Sequence, residues 1–136
     1  MATLTFGGTT IWNDAGTGKG RPERNITPDK ELTSFRVLPG NGALVATNLG
    51  TQYGGASFSL QYWLRESESQ ALETTLQNLK NTTGQVVYTV NSVTEWSHSN
   101  CKLTDSRLVS TGVQCNDGSN HRIEYVLTIQ FQKLGA

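Results

Sequence analysis

Residues 121–134 read His-Arg-Ile-Glu-Tyr-Val-Leu-Thr-Ile-Gln-Phe-Gln-Lys-Leu, with Ile123, Tyr125, Leu127, Ile129 and Phe131 at alternate positions and Glu124, Thr128, Gln130 and Gln132 between them. Successive side chains of a strand point to opposite faces, so a period of two over this length marks a β-strand with one face buried and one solvated. It is long enough to cross a whole sheet as a central strand. A second stretch, 56–65, repeats the pattern, with Phe58, Leu60, Tyr62 and Leu64 on one side and Ser57, Ser59, Gln61 and Trp63 on the other. Trp63 is out of place on a polar face. It reads either as a contact residue at an interface or as a ring lying on the protein's own surface or under a loop.

Working outward, 32–38 and 43–49 are strands joined by Pro39-Gly40-Asn41-Gly42, a strong hairpin signal, with Phe35 and Val37 on one face and Arg36 on the other. Residues 3–6 form a short first strand stopped by Gly7-Gly8, and Ile11 and Trp12 add one further apolar anchor. The stretch 13–31 is polar and holds Gly16, Gly18, Gly20, Pro22 and Pro28, so a long loop is expected there. Loops of that length in compact domains are usually functional or disordered. After 56–65 the period changes. Leu72, Leu76 and Leu79 with Ala71 predict a helix over 66–80, opened by a Ser67/Gln70 capping box, with Glu66 and Glu68 at its start and Lys80 at its end. Strands resume at 85–90, 93–96, 101–110 and 113–115, with a reversal near Gly112 and a turn over 116–120. No βαβ alternation and no internal repeat occurs. The expected fold class is therefore mainly β: one domain, an antiparallel β-sandwich or open barrel with one flanking α-helix.

The chain has 136 residues, suited to a single domain. Only 16% are charged, and 11 basic residues balance 11 acidic ones. Typical chains carry about 25% charge. The surface must then be built from Thr, Ser, Asn, Gln and Gly. It lacks strong self-repulsion, which suits a protein packed against copies of itself. Zero net charge and the lack of a basic stripe argue against specific nucleic-acid binding. The nearest cluster, Lys19, Arg21 and Arg24, is diluted by Glu23 and reads as a solvated loop. Residues 1–6 show no leader, and no apolar run is long enough to span a membrane. The expectation is a protein made in the cytoplasm, with reduced thiols.

Catalysis is not expected. His98 and His121 are the only histidines, the carboxylates are scattered, and Glu66 and Glu68 are explained by the helix start. Gly16-Thr17-Gly18-Lys19-Gly20 lacks the spacing and following helix of a phosphate cradle. His98, Cys101, Cys115 and His121 are the donor set of a structural zinc site, and pairing could bring the two cysteines onto neighbouring strands. Against this, Cys115 and His121 are separated by a turn. The favoured reading is two small buried thiols and two surface histidines, with no metal or other cofactor; a disulfide is the third option.

The order of elements adds a resemblance. Leu4-Thr5-Phe6-Gly7-Gly8, then 35–43 (Phe-Arg-Val-Leu-Pro-Gly-Asn-Gly-Ala), the strand 58–64, the helix 66–79 and the closing Leu127-Thr128-Ile129-Gln130-Phe131 resemble, in layout over nearly the whole chain, phage tail proteins of the distal-tail (baseplate hub) family and the tail-tube fold. That resemblance implies a β-sandwich or barrel with a flanking helix, six copies closing into a ring by head-to-tail contacts with one another, other tail or baseplate proteins as further partners, and a lumen through which DNA passes unbound. It implies residence in the virion tail after assembly in the host cytoplasm. The loop 13–31 would reach a neighbouring subunit, making Lys19, Arg21, Arg24 and Trp63 interface candidates, and Glu95, Asp105 and Glu124 would suit a neutral or acidic lumen. A tube ring, a distal-tail hub and a tail-completion ring all fit it. The competing reading is a monomeric carbohydrate- or ligand-binding sandwich module using Trp12, Trp63 and Trp96 as stacking platforms.

Overall fold

The computed structural model describes residues 2–117 and 120–135. In chain order the elements are β1 (Ala2–Phe6), β2 (Thr9–Asn13), β3 (Gly18–Thr27), β4 (Lys30–Val37), β5 (Leu44–Gln52), β6 (Gly55–Leu64), α1 (Glu66–Leu79), β7 (Thr83–Val90), β8 (Val93–Asp117) and β9 (Asn120–Lys133). Seven strands form one sheet in the order β2-β1-β7-β8-β9-β6-β3, while β4 and β5 form a two-stranded sheet of their own. Every pairing is antiparallel.

The large sheet folds over on itself. Its two outer strands, β2 and β3, are joined by only a short turn, and Tyr62 and Trp12 fasten β2 onto β6: the Tyr62 hydroxyl donates to Ile11 O at 2.7 Å, and Trp12 Nε1 donates to Gln61 O at 2.8 Å. The enclosed side chains are the alternate ones the sequence pattern selects: Leu4 and Phe6 on β1, Phe58, Leu60 and Tyr62 on β6, Leu127, Ile129 and Phe131 on β9. Phe58 is at the centre, with its ring edge-on to Tyr88, Phe131 and Trp96 at centroid distances of 5.5, 6.1 and 6.2 Å. Such tilted contacts suit the quadrupoles of the rings. The sandwich-like β fold with a single helix is as expected. Helix α1 adds Leu76 to the core and packs Leu72 and Leu79 against it. Asn81, with φ of 64°, ends the helix and turns the chain so that its N–H donates to Leu103 O.

Four expectations are corrected. The stretch 13–31 is mostly not a loop: Gly18–Thr27 is a strand laddered to β6, from Lys19↔Gln61 through Asn25↔Ser57 to Thr27↔Gly55. Glycine and proline are tolerated because β3 is an edge strand, and Pro22 occupies the bulge between Lys19 and Glu23, where no ladder donor is needed. The segments 93–96, 101–110 and 113–115 are one strand, β8, because Gly112, with φ of +83°, makes a bulge and not a reversal. The helix start uses Glu68 and not Ser67/Gln70: the Arg65 N–H donates to Glu68 Oε1 at 3.0 Å. Finally, the 32–49 hairpin does not join the sandwich. Of the turn expected over 116–120, Asp117 pairs with Asn120, while residues 118 and 119 lie outside the described residues.

Candidate assembly interface

The hairpin of β4 and β5 is an arm. Its register runs from Lys30↔Gln52 at the base to Val37↔Leu44 at the tip, with Leu49 in a bulge beside Gly50. On one face the directly opposed pairs Phe35↔Ala46 and Val37↔Leu44 form an apolar strip. Phe35 is 62% exposed, Val37 65% and Leu44 65%. A free-standing two-stranded hairpin is at best marginally stable in water, and large side chains left this open on a protruding strip make it the candidate contact surface. Covering each of these three would add about 1–2 kcal/mol.

The arm's root, by contrast, is tightly held. Asp29 accepts from the Gly54 N–H at 2.8 Å and from Lys133 Nζ at 3.0 Å, so that the two chain segments entering and leaving the arm are tied to each other and to β9. The Gly54 hydrogen bond first, and Lys133 second, hold the Asp29 carboxyl below its ordinary value. Gln132 Nε2 donates to Tyr53 O at 2.6 Å, and Lys133 N–H to Gly54 O at 3.0 Å. The crossing leaves no space: a Cβ on Gly54 would stand 1.8 Å from Thr27 O. Under the root lies an open groove of about 670 Å³ floored by uncharged polar side chains of the outer sheet face, among them Asn25, Ser57, Thr104 and Gln130.

The interface candidates named from sequence fall into two groups, both engaged within the chain. Lys19 lies over the Trp63 ring, Nζ 4.1 Å from its centroid, and is ion-paired with Glu124. Glu124 also accepts from Thr111 Oγ1 at 3.0 Å, and these two donors, Lys19 first, lower its carboxyl's pKa. Trp63 is half-buried, with Lys19 of β3 over its ring. Arg24 donates to Glu95 O at 3.0 Å and lies over Tyr88 at 5.8 Å, closing one mouth of the sandwich, with Arg21 beside it around a shallow hollow. Of the three tryptophans, Trp12 is buried, Trp96 is half-buried against Phe58, and Trp63 is half-buried with Lys19 over its ring.

The zinc set does not come together. Cys101 and Cys115 lie on the same strand, β8, not on neighbouring ones, and are separated by most of its length. No cluster of three or more metal-binding side chains occurs among the described residues. Both thiols are free; Cys101 is buried, as expected, whereas Cys115 is exposed, which corrects the expectation for that residue. Burial pushes the Cys101 thiol up to about 11. His98 is half-buried with Nε2 2.7 Å from Gly135 O, and His121 is exposed and engaged elsewhere. No helix among the described residues is long and apolar enough to cross a membrane.

What the sequence reading missed is the arm and its clamp. The signal was present: a strong hairpin flanked on both sides by Gly/Pro breaks, at Pro28 and at Gly54-Gly55, so that neither strand runs continuously into the next. No family model and no curated protein matches this chain.

Proposed function

We propose that this chain is a non-enzymatic structural subunit that assembles with copies of itself into a ring, and that the ring is part of a phage tail, either the tail tube or the distal-tail baseplate hub, with DNA passing through its lumen. The observation that carries the reading is the β4–β5 arm, whose apolar strip of Phe35, Val37 and Leu44 is left open while the root is clamped by Asp29, Lys133 and Gln132. A rigidly mounted arm with an uncovered apolar face is what a subunit needs to reach a neighbour, and the low charge of the chain reduces repulsion between copies. Head-to-tail contacts of this kind close into rings when the rotation between copies is an integral fraction of a turn. Six copies is the number implied by the resemblance to tail proteins. The middle of the outer face of β6 and β9, where Ser57 pairs with Gln130 and Ser59 with Thr128, is polar and uncharged and has the chemistry of a lumen wall over which a polyanion slides without sticking.

Light scattering and electron microscopy test this directly. Wild-type protein, seeded if necessary with tail particles, is expected to form closed rings or stacks with a central opening, and protein in which 30–52 is replaced by a short Gly/Ser linker is expected to stay monomeric. A protein that remains monomeric at every concentration, with or without seeds, sinks the proposal, and saccharide binding by that monomer would favour the binding-module reading instead.

A further inference from the structure

The arm has two outer edges, and they are not alike. β4 carries Lys30, Glu31 and Arg36, whereas β5, reading Leu-Val-Ala-Thr-Asn-Leu-Gly-Thr-Gln, carries neither a charged residue nor a proline. Charges and prolines on an edge strand keep other strands from adding to it, and an edge without them is a template for pairing. The outer edge of the main sheet at β3 is guarded in the same way as β4, by Lys19, Arg21, Pro22, Glu23 and Arg24.

The ladder identifies what β5 offers. The Leu38 N–H donates to Ala43 O at 2.7 Å, just beyond the last pair of the arm, Val37↔Leu44. Hydrogen-bonded and non-hydrogen-bonded pairs alternate in an antiparallel ladder, so the backbone N–H and C=O of Leu44, Ala46 and Asn48 point away from β4. The side chains of Leu44 and Ala46 share the face of Phe35 and Val37. A strand added at this edge would therefore gain a hydrogen-bonding ladder and an apolar neighbour together.

We infer that the outer edge of β5 takes up an extended segment of a second copy of this chain by β-strand addition. The inference rests on the assembly reading above and names the contact that performs it. The nine residues of β5 offer an edge as long as an ordinary strand, so the occupant is a macromolecular strand and not a small ligand. The weakly charged chain offers little repulsion to its own copies. With β4 guarded and β5 open, each arm adds one strand and then stops, which is the valence a head-to-tail chain of copies requires.

Residue-resolved hydrogen–deuterium exchange on assembled and dispersed wild-type protein, with two edge variants, tests it. Assembly is expected to slow exchange at the amides of Leu44, Ala46 and Asn48 at least tenfold while leaving those of Thr33, Phe35 and Val37 unchanged. Ala46→Pro removes an outward N–H without touching the arm's own ladder and is expected to raise the concentration needed for assembly at least tenfold. Thr33→Pro, the matching change on β4, is expected to shift it less than twofold. Assembled wild type with unchanged exchange at the β5 amides overturns the edge inference and leaves the assembly reading standing, even if Ala46→Pro fails to fold. Wild type that never assembles overturns both.

Discussion

β6 and the arm use the same alternating pattern to opposite ends. In β6, Phe58, Leu60, Tyr62 and Leu64 occupy one face and are all buried, because β9 and β3 flank the strand and the opposite wall of the folded sheet covers that face. In the arm, Phe35, Val37 and Leu44 also share a face, and all are open, because the sheet there has only two strands and nothing stacked upon it. A period of two specifies that a strand has an apolar face; it is silent on whether that face is covered by its own chain or by another. The distinction lies in the number of layers around the strand.

Breaking the contrast should be easiest on the buried side. Leu60→Ala, at a fully buried position, should cost about 3–4 kcal/mol in urea unfolding; a loss under about 1 kcal/mol would mean that the core relaxes around the site. The joint between the two regions comes next. Gly54→Ala forces a Cβ against Thr27 O and should cost about 2–3 kcal/mol, read in the same assay. In the arm, the double change Phe35→Ser with Leu44→Ser should leave the stability of the dispersed protein within about 0.5 kcal/mol, since both side chains are already in water, yet abolish assembly in light scattering.

Acid sharpens the comparison at the clamp. The carboxyls of Asp29 and Glu124 are both held below their ordinary values in the folded protein, so their contribution is fully present above the ordinary carboxyl range and is lost as pH falls through the lowered values. Amides of the arm root, the Gly54 N–H foremost, should lose protection in that acidic window, while those of β9 beside Leu127 keep theirs; Asp29→Asn should weaken protection at the root already at neutral pH. The smallest effect concerns the thiols. Brief treatment of native protein with iodoacetamide should label Cys115 and spare Cys101, which is buried and protonated, giving a single added mass per chain.

Where burial imposed a period, the sequence was readable. β6, α1 and β9 follow from Phe58–Leu64, Leu72/Leu76/Leu79 and Ile123–Phe131, each of which turns a regular stripe toward the core. β3 left no such trace. Apart from Pro22, its side chains are exposed or half-buried, and the strand exists because β6 offers it a ladder, a pairing that composition does not record. The continuity of β8 was hidden for a related reason: Gly112 marks a change in backbone direction but not the size of that change, and a bulge and a reversal share the same residue preference. The candidate interface was half legible. The hairpin and its faces could be read from Pro39-Gly40-Asn41-Gly42, whereas the clamp joins Asp29 to Lys133 across nearly the whole chain, a contact that local pattern cannot anticipate.

The crossing at Gly54 has a mechanical consequence. Because the joint is set by backbone against backbone and by three side chains at the root, the bearing of the arm is independent of how long it is. Two residues added to each strand near the Asn41 turn would extend it by about 7 Å and keep the same face forward. The arm is in this sense a spar on a fixed mount, and descendants of this chain could change its reach by altering its length while the sandwich that carries it stays the same.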